Sequence, residues 1–473
     1  MTLEEYFQQP DAQRILLIEI TRKDALSTTY YLSDDSYTTE PTDTPPNRRY
    51  ANVIGGTGLG DIRRSINDPF SGQASTGFGT ITLADDLVTF TNAMTSGEET
   101  IQTPRGAVVS AFLAGPVPQF SRASAMPLLT GTVGRSGGDS TGARTFEITD
   151  GSDFVRNRTI EIDQKPIAYG FVRNITPKSF DPTLLQYYVN DGPIEAVTAV
   201  YDQGAVLSPT QYTVDLATGL LTLLVDPVGQ LTADVQGTKA GGVWLQSTEQ
   251  IVGHLLARAG LVLPQLYSIP SGLIGLYIEE TTQLGSLLNQ LLAGVAGYWL
   301  IGSNNTFVAA QYPVPGLSMP VAVYTEIELI GEVTYQNEDR MYQRVNFSYR
   351  KNWTQYQSRG GASAEQAEFS QLQFRQSSVT DPTPDDEIEY QDSPQIDTLF
   401  DVLADAQAVA NRVLEIYRLP RQLLSLSVPY SSTLKLGDEI AVMFNGLEFN
   451  GAVISLADVF DGTYPIQQVE ILA

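Results

Sequence analysis

Five short patterns in this 473-residue sequence carry residue types that could do chemistry. Gly134-Arg-Ser-Gly-Gly has the letters of the G-x-S-x-G nucleophile elbow, in which a strained strand-to-helix turn presents a serine hydroxyl above a sheet. The continuation Asp139-Ser-Thr-Gly-Ala is a poor helix start, so the expectation is a flexible Gly/Ser loop with Ser136 inert. A serine nucleophile also needs a base. The one histidine, His254, falls on the polar side of its own helix by the 3.6-residue spacing, which predicts a partly exposed surface residue. Gly55-Gly-Thr-Gly-Leu-Gly suggests a phosphate loop, yet it matches neither G-x-G-x-x-G nor a Gly-Lys-Ser/Thr ending, and no helix follows; turn or bulge glycines are expected.

Glu279-Glu280 and Asp385-Asp-Glu-Ile-Glu offer carboxylates for glycoside hydrolysis, which needs two across a cleft. Neighbours on a strand point to opposite faces, and 54 acidic residues make adjacent pairs common. Asp381 to Asp397 lacks the calcium-loop spacing, and Pro382, Pro384 and Pro394 favour an irregular acidic segment. The three Trp and 23 Tyr are not interleaved with Lys or Arg as a stacking platform for single strands would require. The expectation is a non-enzyme with no catalytic, cofactor-binding or metal-binding residue.

Composition narrows the remaining classes. A net charge of −26 disfavours specific or non-specific binding to nucleic acid and to anionic membrane. Zero cysteines exclude disulfides and thiolate sites, consistent with assembly in a reducing cytoplasm. Met1-Thr-Leu-Glu-Glu-Tyr-Phe lacks the basic and apolar regions of a signal peptide. Leu291 to Ile301, the longest strongly apolar stretch, is short of the roughly 20 residues that span a bilayer as a helix.

The elements that would position any site are mostly strands. Arg14-Ile-Leu-Leu-Ile-Glu-Ile-Thr, Thr28-Thr-Tyr-Tyr-Leu-Ser, Gly77 to Asp86 and Ala107 to Gly115 read as an N-terminal β domain, residues 1–122. Residues 123–240 read as a second β domain of short strands and hairpins, with Asn190-Asp-Gly-Pro, Asp202-Gln-Gly and Ala217-Thr-Gly at turns. Residues 241–316 change character. Ser247 and Gln250 make a capping box before Ile251, Val252, Leu255 and Leu256, and Leu284, Leu287, Leu288, Leu291 and Leu292 mark a second helix. The order is helix, strand, helix, hairpin. Residues 317–473 form a C-terminal β domain, with strands at 327–335 and 344–350, a polar acidic loop at 361–397 and one long helix at 397–418 stopped by Pro420. Within 361–400 nine acids face one base, Arg375. The fold class is thus mainly β with an α+β module, multi-domain, with barrel-like or sandwich-like β domains.

The stretches Ile251-Val-Gly-His-Leu-Leu-Ala-Arg-Ala-Gly-Leu, Ile274-Gly-Leu-Tyr-Ile and Leu284-Gly-Ser-Leu-Leu-Asn-Gln-Leu-Leu-Ala-Gly-Val-Ala-Gly-Tyr-Trp resemble the hub module of the baseplate or tail-tip hub proteins of tailed bacteriophages and related contractile or gene-transfer particles. Glu332-Val-Thr-Tyr, Arg344-Val-Asn-Phe-Ser-Tyr-Arg and Leu436-Gly-Asp-Glu-Ile resemble the closing β domain of that family, and Val200-Tyr-Asp-Gln-Gly and Tyr212-Thr-Val-Asp-Leu-Ala-Thr-Gly are similar to phage tail sequence. The resemblance implies a virion protein, assembled in the host cytoplasm as a homotrimer around the tail axis. Two barrel-like domains per subunit would present a pseudo-sixfold ring to the tube or distal tail protein, with spike, fibre and tape-measure proteins as further partners, and DNA passing through at ejection. A hexameric distal tail ring, a fibre-attachment or receptor-binding protein, and a tail-associated glycan or peptidoglycan hydrolase stay open as alternatives.

Overall fold

Ile15 to Ile18 is an unbroken apolar run because both faces of its strand, Ile15–Thr21, are covered. Leu16, Ile18 and Ile20 point into one cluster and Ile15 and Leu17 into another. The computed structural model describes residues 1–7, 12–22, 28–66, 68–84, 106–138, 144–302, 305–355, 363–385, 389–460 and 465–473. Ile15–Thr21 lies inside a nine-stranded sheet in the spatial order 37–38, 49–52, 29–33, 15–21, 108–114, 126–138, 144–150, 80–83, 54–59. Among the described residues strands make up 45% and helices 13%, so the fold is mainly β.

The middle of the chain is a two-layered β unit. Strands 194–202, 231–240, 167–175 and 275–278 run side by side, and a four-stranded sheet (178–181, 186–188, 220–223, 212–215) closes over them. Val172, Val200, Leu221, Leu223 and Val235 fill the space between the layers. Gln203 and Gly204 take positive φ, as does Gly219, so two of the three expected turns form. Asn190 does something else. Its side chain is fully buried and its Oδ1 accepts from the Ala168 N–H (2.8 Å) and the Thr238 hydroxyl (3.1 Å), which makes it a pin between strands.

The helix–strand–helix–hairpin order is present at 248–258, 275–278, 284–293 and 297–311. Ser247 accepts from the Gln250 N–H while the Gln250 side chain caps back, and the chain leaves the helix through Gly260 at φ +73°. Ile251, Val252, Leu255, Leu284, Leu288 and Leu292 are fully buried in the largest core, with Trp299 stacked on Phe307 at 5.8 Å. The strand 275–278 pairs with 167–175, so this unit grows out of the middle sheet. A Cβ at Gly170 would sit 1.7 Å from the Ile274 carbonyl oxygen, so that junction admits only glycine.

The C-terminal sheet orders 322–324, 439–444, 447–459, 466–472, 421–429 and 334–338 over a core of Leu424, Val428, Ile440, Val442, Val453 and Val469. The second half of strand 447–459 pairs with Ile62–Ser65, a strand from the N-terminal region nearly 400 residues away in sequence. The loop after it reaches the largest core, where the Ala74 N–H donates to the Trp299 carbonyl (3.0 Å).

Four local expectations change. Ser136 lies on the strand Met126–Gly138 and is not in a loop, because that strand pairs with both 108–114 and 144–150. The strand expected at 327–335 forms at Thr334–Glu338; Ile327 is exposed, and before Thr334 the chain meets strand 421–429 where the Ile330 N–H donates to the Ser427 carbonyl (2.8 Å). The polar stretch 361–397 holds a helix at Ala364–Phe369, capped by Ser363, and strands at Arg375–Thr380 and Gln395–Asp397. The long helix begins at Leu403, six residues later than expected. The backbone before it is extended and already engaged: the Leu399 and Phe400 carbonyls accept from Gly275 and Arg350, and the Asp401 N–H donates to Leu273.

Candidate functional site

The strands bring Ser136 to the wall of an open cleft of about 630 Å³ with Thr76, Thr80, Glu147, Asp150 and Asp153. Asp150 is committed to structure: it caps the helix Gly151–Arg156 through the Asp153 N–H (3.1 Å) and accepts from the Thr76 hydroxyl. Burial pushes its carboxyl above the usual range. After Ser136 the chain enters another strand, Arg144–Asp150, so the strand-to-helix turn of a nucleophile elbow is not formed; residues 139–143 lie outside the described ones. His254 does not line this cleft.

His254 is half-buried, the partial exposure that its helical spacing predicts. Its Nδ1 lies 2.8 Å from the Tyr169 hydroxyl. Burial, with the Arg258 charge nearby, lowers its pKa, so at neutral pH the ring is uncharged and the direction of the bond to Tyr169 follows the ring tautomer. This bond pins helix 248–258 to strand 167–175. Gly55 to Leu59 lie in the strand Ile54–Leu59, whose pairing with 80–83 is irregular, and Gly58 has φ +71°. These are bulge glycines, as expected. Glu279 and Glu280 are exposed past the end of strand 275–278. Asp381 caps the Thr383 N–H and Asp397 accepts from Ser348 (2.7 Å), while 386–388 lie outside the described residues. Among the described residues no group of three or more His, Asp or Glu could hold a metal ion.

What the fold does concentrate is buried charge where its units meet. Arg173, on strand 167–175, donates to both carboxylate oxygens of Asp401 (2.5 and 2.8 Å), just before the long helix. Asp234 stands 3.7 Å from the same guanidinium, and it also accepts from the Asn174 N–H (2.8 Å) and the Tyr201 hydroxyl (3.1 Å). Arg350 approaches Asp401 at 3.6 Å, and the Asn174 amide donates to Asn352 (2.8 Å) and to the Thr354 carbonyl (2.6 Å). Burial pushes the Asp234 carboxyl up. Burial alone would lower the Arg173 guanidinium, yet its bonds to Asp401 hold it above its ordinary value.

A second clamp fastens the N-terminal region to the C-terminal sheet. Arg64 reaches Asp458 at 3.2 Å, Gln467 donates to the other Asp458 oxygen (2.8 Å) and to the Ser431 carbonyl (3.0 Å), and Ser431 bonds Glu4. Arg14 donates to the Phe460 carbonyl at 2.8 Å. Neither clamp is among the sequence candidates. The available signal was a charged residue inside an apolar strand, as in Phe171-Val-Arg-Asn-Ile and Thr232-Ala-Asp-Val, but the partners lie up to about 400 positions away.

No family model and no curated protein matches the chain. Among solved structures it is similar to the tail protein from Neisseria meningitidis MC58, at 11% identity over 97% of this chain and 96% of that one (TM-score 0.47). It is also similar to the 43 kDa tail protein of prophage MuSo2 from Shewanella oneidensis, at 11% identity over 97% of each chain (TM-score 0.43). A third likeness is to the prophage tail protein gp18 from Listeria monocytogenes EGD-e, at 10% identity over 97% and 94% (TM-score 0.45). All three are named as tail proteins, a broader class than the hub family that the sequence resembles. The likenesses are distant, and the functional reading rests on the chain's own elements. Among the described residues no helix is long and apolar enough to cross a membrane.

Proposed function

We propose that the chain is a structural protein of a phage tail, a hub that closes the distal end of the tail tube and joins the tube or distal tail protein to the spike or fibres. The observation that carries this reading is the helix, strand, helix and hairpin at 248–311, the part of the sequence that most resembles the hub family, set among large, mainly antiparallel sheets at both ends of the chain. The buried ion clamps fit a scaffold that keeps its units in fixed relation, and the geometry around Ser136 and His254 supports no nucleophile–base pair.

The proposed division is into four units, near 1–122, 123–240, 241–316 and 317–473, with the first carried on to 150 because strand 126–138 pairs with 108–114. In the assembly we favour, three copies surround the tail axis. Acidic side chains facing the lumen would repel DNA and keep it from adhering as it passes. Immunogold labelling of intact particles tests the reading: label at the distal tail tip supports it, and label confined to fibres or absent from particles overturns it. The mass of the purified assembly separates three copies from the six of a distal ring.

A further inference from the structure

Between Leu59 and Thr80 the chain leaves the N-terminal sheet and returns to it. The hairpin it makes on the way, Ile62–Ser65 with Ser75–Gly77, is built into two other units. Ile62–Ser65 lies antiparallel to Ser455–Asp458 and covers the edge of that part of strand 447–459. The tip reaches farther, to the helix 284–293 and the strand after it. The Ile66 N–H donates to the Ile454 carbonyl (2.8 Å), the Ala74 N–H donates to the Trp299 carbonyl (3.0 Å), and the Gln73 side chain accepts from Asn289 (3.2 Å) and Arg156 (3.3 Å).

The seat of this hairpin on the C-terminal sheet is polar. None of its described residues belongs to the apolar core of that sheet, and besides backbone hydrogen bonds the paired strands are held by Arg64 on the buried Asp458 (3.2 Å). The Arg64 Nε is buried with no partner among the described residues, a cost that exists only while the hairpin is seated. Apolar anchorage is confined to the tip, where Ile66 and Ala74 are buried in the largest core and Phe70 packs against it. A unit with so few buried apolar side chains opens below global unfolding. Both of its legs pass through glycine. A Cβ on Gly79 would stand 2.9 Å from the Gly60 Cα, and Gly79 takes φ +55°, so neither leg carries a side chain that resists rotation there. The N-terminal unit stays attached without the hairpin: Arg14 holds the Phe460 carbonyl, Glu4 holds Ser431, and Tyr430 and Phe460 are buried in the N-terminal core.

We propose that the hairpin 62–77 is a strap, hinged at Gly60 and Gly79, that closes over strand 455–458 and helix 284–293 and lifts as one piece while both sheets stay folded. Closed, it hides a strand edge whose unpaired N–H and C=O groups would otherwise accept a strand from another chain. Lifted, it bares that edge. The strap belongs to the single chain, so it operates whether or not the assembly proposed above forms.

Hydrogen exchange on the full chain tests the strap, with the Val453 amide, bonded to the Asp438 carbonyl (2.8 Å) inside the C-terminal sheet, as the reference. Protection at Ile66 and Ala74 is expected to agree within about threefold and to lie at least about tenfold below that at Val453. A smaller gap to Val453, or a wider split between the two, overturns the strap. The chain has no cysteine, so Ser65→Cys with Ser455→Cys, which are register partners, gives one defined disulfide. Oxidation should raise protection at Ile66 and Ala74 to that of Val453, and unchanged protection overturns the strap. Gly72→Ala opens it instead, because a Cβ there would stand 2.1 Å from the Asn289 carbonyl oxygen. Ile66 and Ala74 should then lose at least about a further tenfold of protection while Val453 stays within about threefold of the wild type. Equal losses at all three amides would make the hairpin an inseparable part of the sheet, and no loss at Ile66 and Ala74 would mean that the tip is not seated on the helix; either result overturns the strap.

Discussion

The unit at 248–311 and the junction around Arg173 hold the molecule together by opposite means. In the first, leucines at helical spacing and Trp299 on Phe307 make an interior of hydrocarbon, where stability follows area removed from water and contact geometry is loosely specified. In the second, two arginines and two carboxylates are taken out of water together and repay that cost only while each keeps its partner. Apolar packing loses stability in proportion to what is removed. A buried charge cluster loses most when a single member goes, and in return it accepts only one arrangement of the units it joins.

The largest effect should come from breaking that pairing. Asp401→Ala leaves Arg173 and Arg350 facing each other with only Asp234 nearby, and is expected to cost about 3–5 kcal/mol. Urea unfolding would register this as a lower midpoint. The joint replacement Arg173→Met with Asp401→Leu should recover part of the loss, since a packed apolar pair removes the desolvation penalties of those two groups, while Asp234 and Arg350 keep theirs. If the double variant is as unstable as the single, the junction is held by something other than charge. Leu288→Ala, fully buried in the helix 284–293, should cost about 3 kcal/mol through lost transfer and a residual cavity. No partner substitution elsewhere should rescue it, and rescue would blur the contrast.

The two regions also differ in how far the sequence reveals them. The apolar unit is legible because its information is local: Ser247 and Gln250 mark one helix start, the leucine spacing marks the second helix, and both lie within a few turns of what they describe. The mainly-β fold is legible for the same reason, from alternation and turn glycines. The junction is not. Nothing near Arg173 points to Asp401, and nothing near Ile62–Ser65 points to strand 447–459, because strand pairing at long sequence separation leaves no periodic trace. The delayed start of the long helix at Leu403 has the same origin, in backbone bonds to distant strands. Candidate sites follow this pattern: the bulge glycines at 55–60 were readable, while the strand placement of Ser136 and the Tyr169 partner of His254 depended on distant neighbours.

Acid should act on the charged regions and spare the apolar one. Burial raises the carboxyls of Asp34, Asp150, Asp234 and Asp458 above their unfolded values. A raised carboxyl binds its proton more tightly in the folded chain, so its contribution is present at low pH and is lost as pH rises through the folded value. Lower pH also relieves the self-repulsion of a chain at −26. Glu338, held down by burial-offsetting bonds from Arg340, works in the opposite sense. With more carboxyls raised than lowered, the unfolding temperature is expected to fall as pH rises from the carboxylate range toward pH 8, while His254, whose lowered pKa acts in the opposite sense below its ordinary value of 6.5, offsets part of that difference. Asp34→Asn keeps the acceptor for the Leu16 N–H and should shrink that difference. A protein more stable at pH 8 would mean that the paired charges outweigh the buried ones.

The smallest effect lies at the edge of the apolar unit, where one polar group decides where a helix begins. Ser247 accepts from the Gln250 N–H at 3.4 Å, and the Gln250 side chain accepts from the Gln246 and Ser247 N–H groups. Ser247→Ala removes one acceptor and leaves the other, so the loss should be about 1 kcal/mol, with Ser247→Asp restoring it. The first turn is also tied to Ile274, whose N–H donates to the Gln246 carbonyl, and fraying would therefore loosen the start of strand 275–278. Hydrogen exchange can separate these outcomes. If only amides 248–251 speed up, the cap is local; if Ile274 and Gly275 speed up with them, the helix start and the middle sheet open as one unit, and the apolar region is less independent of the charged junction than its core suggests.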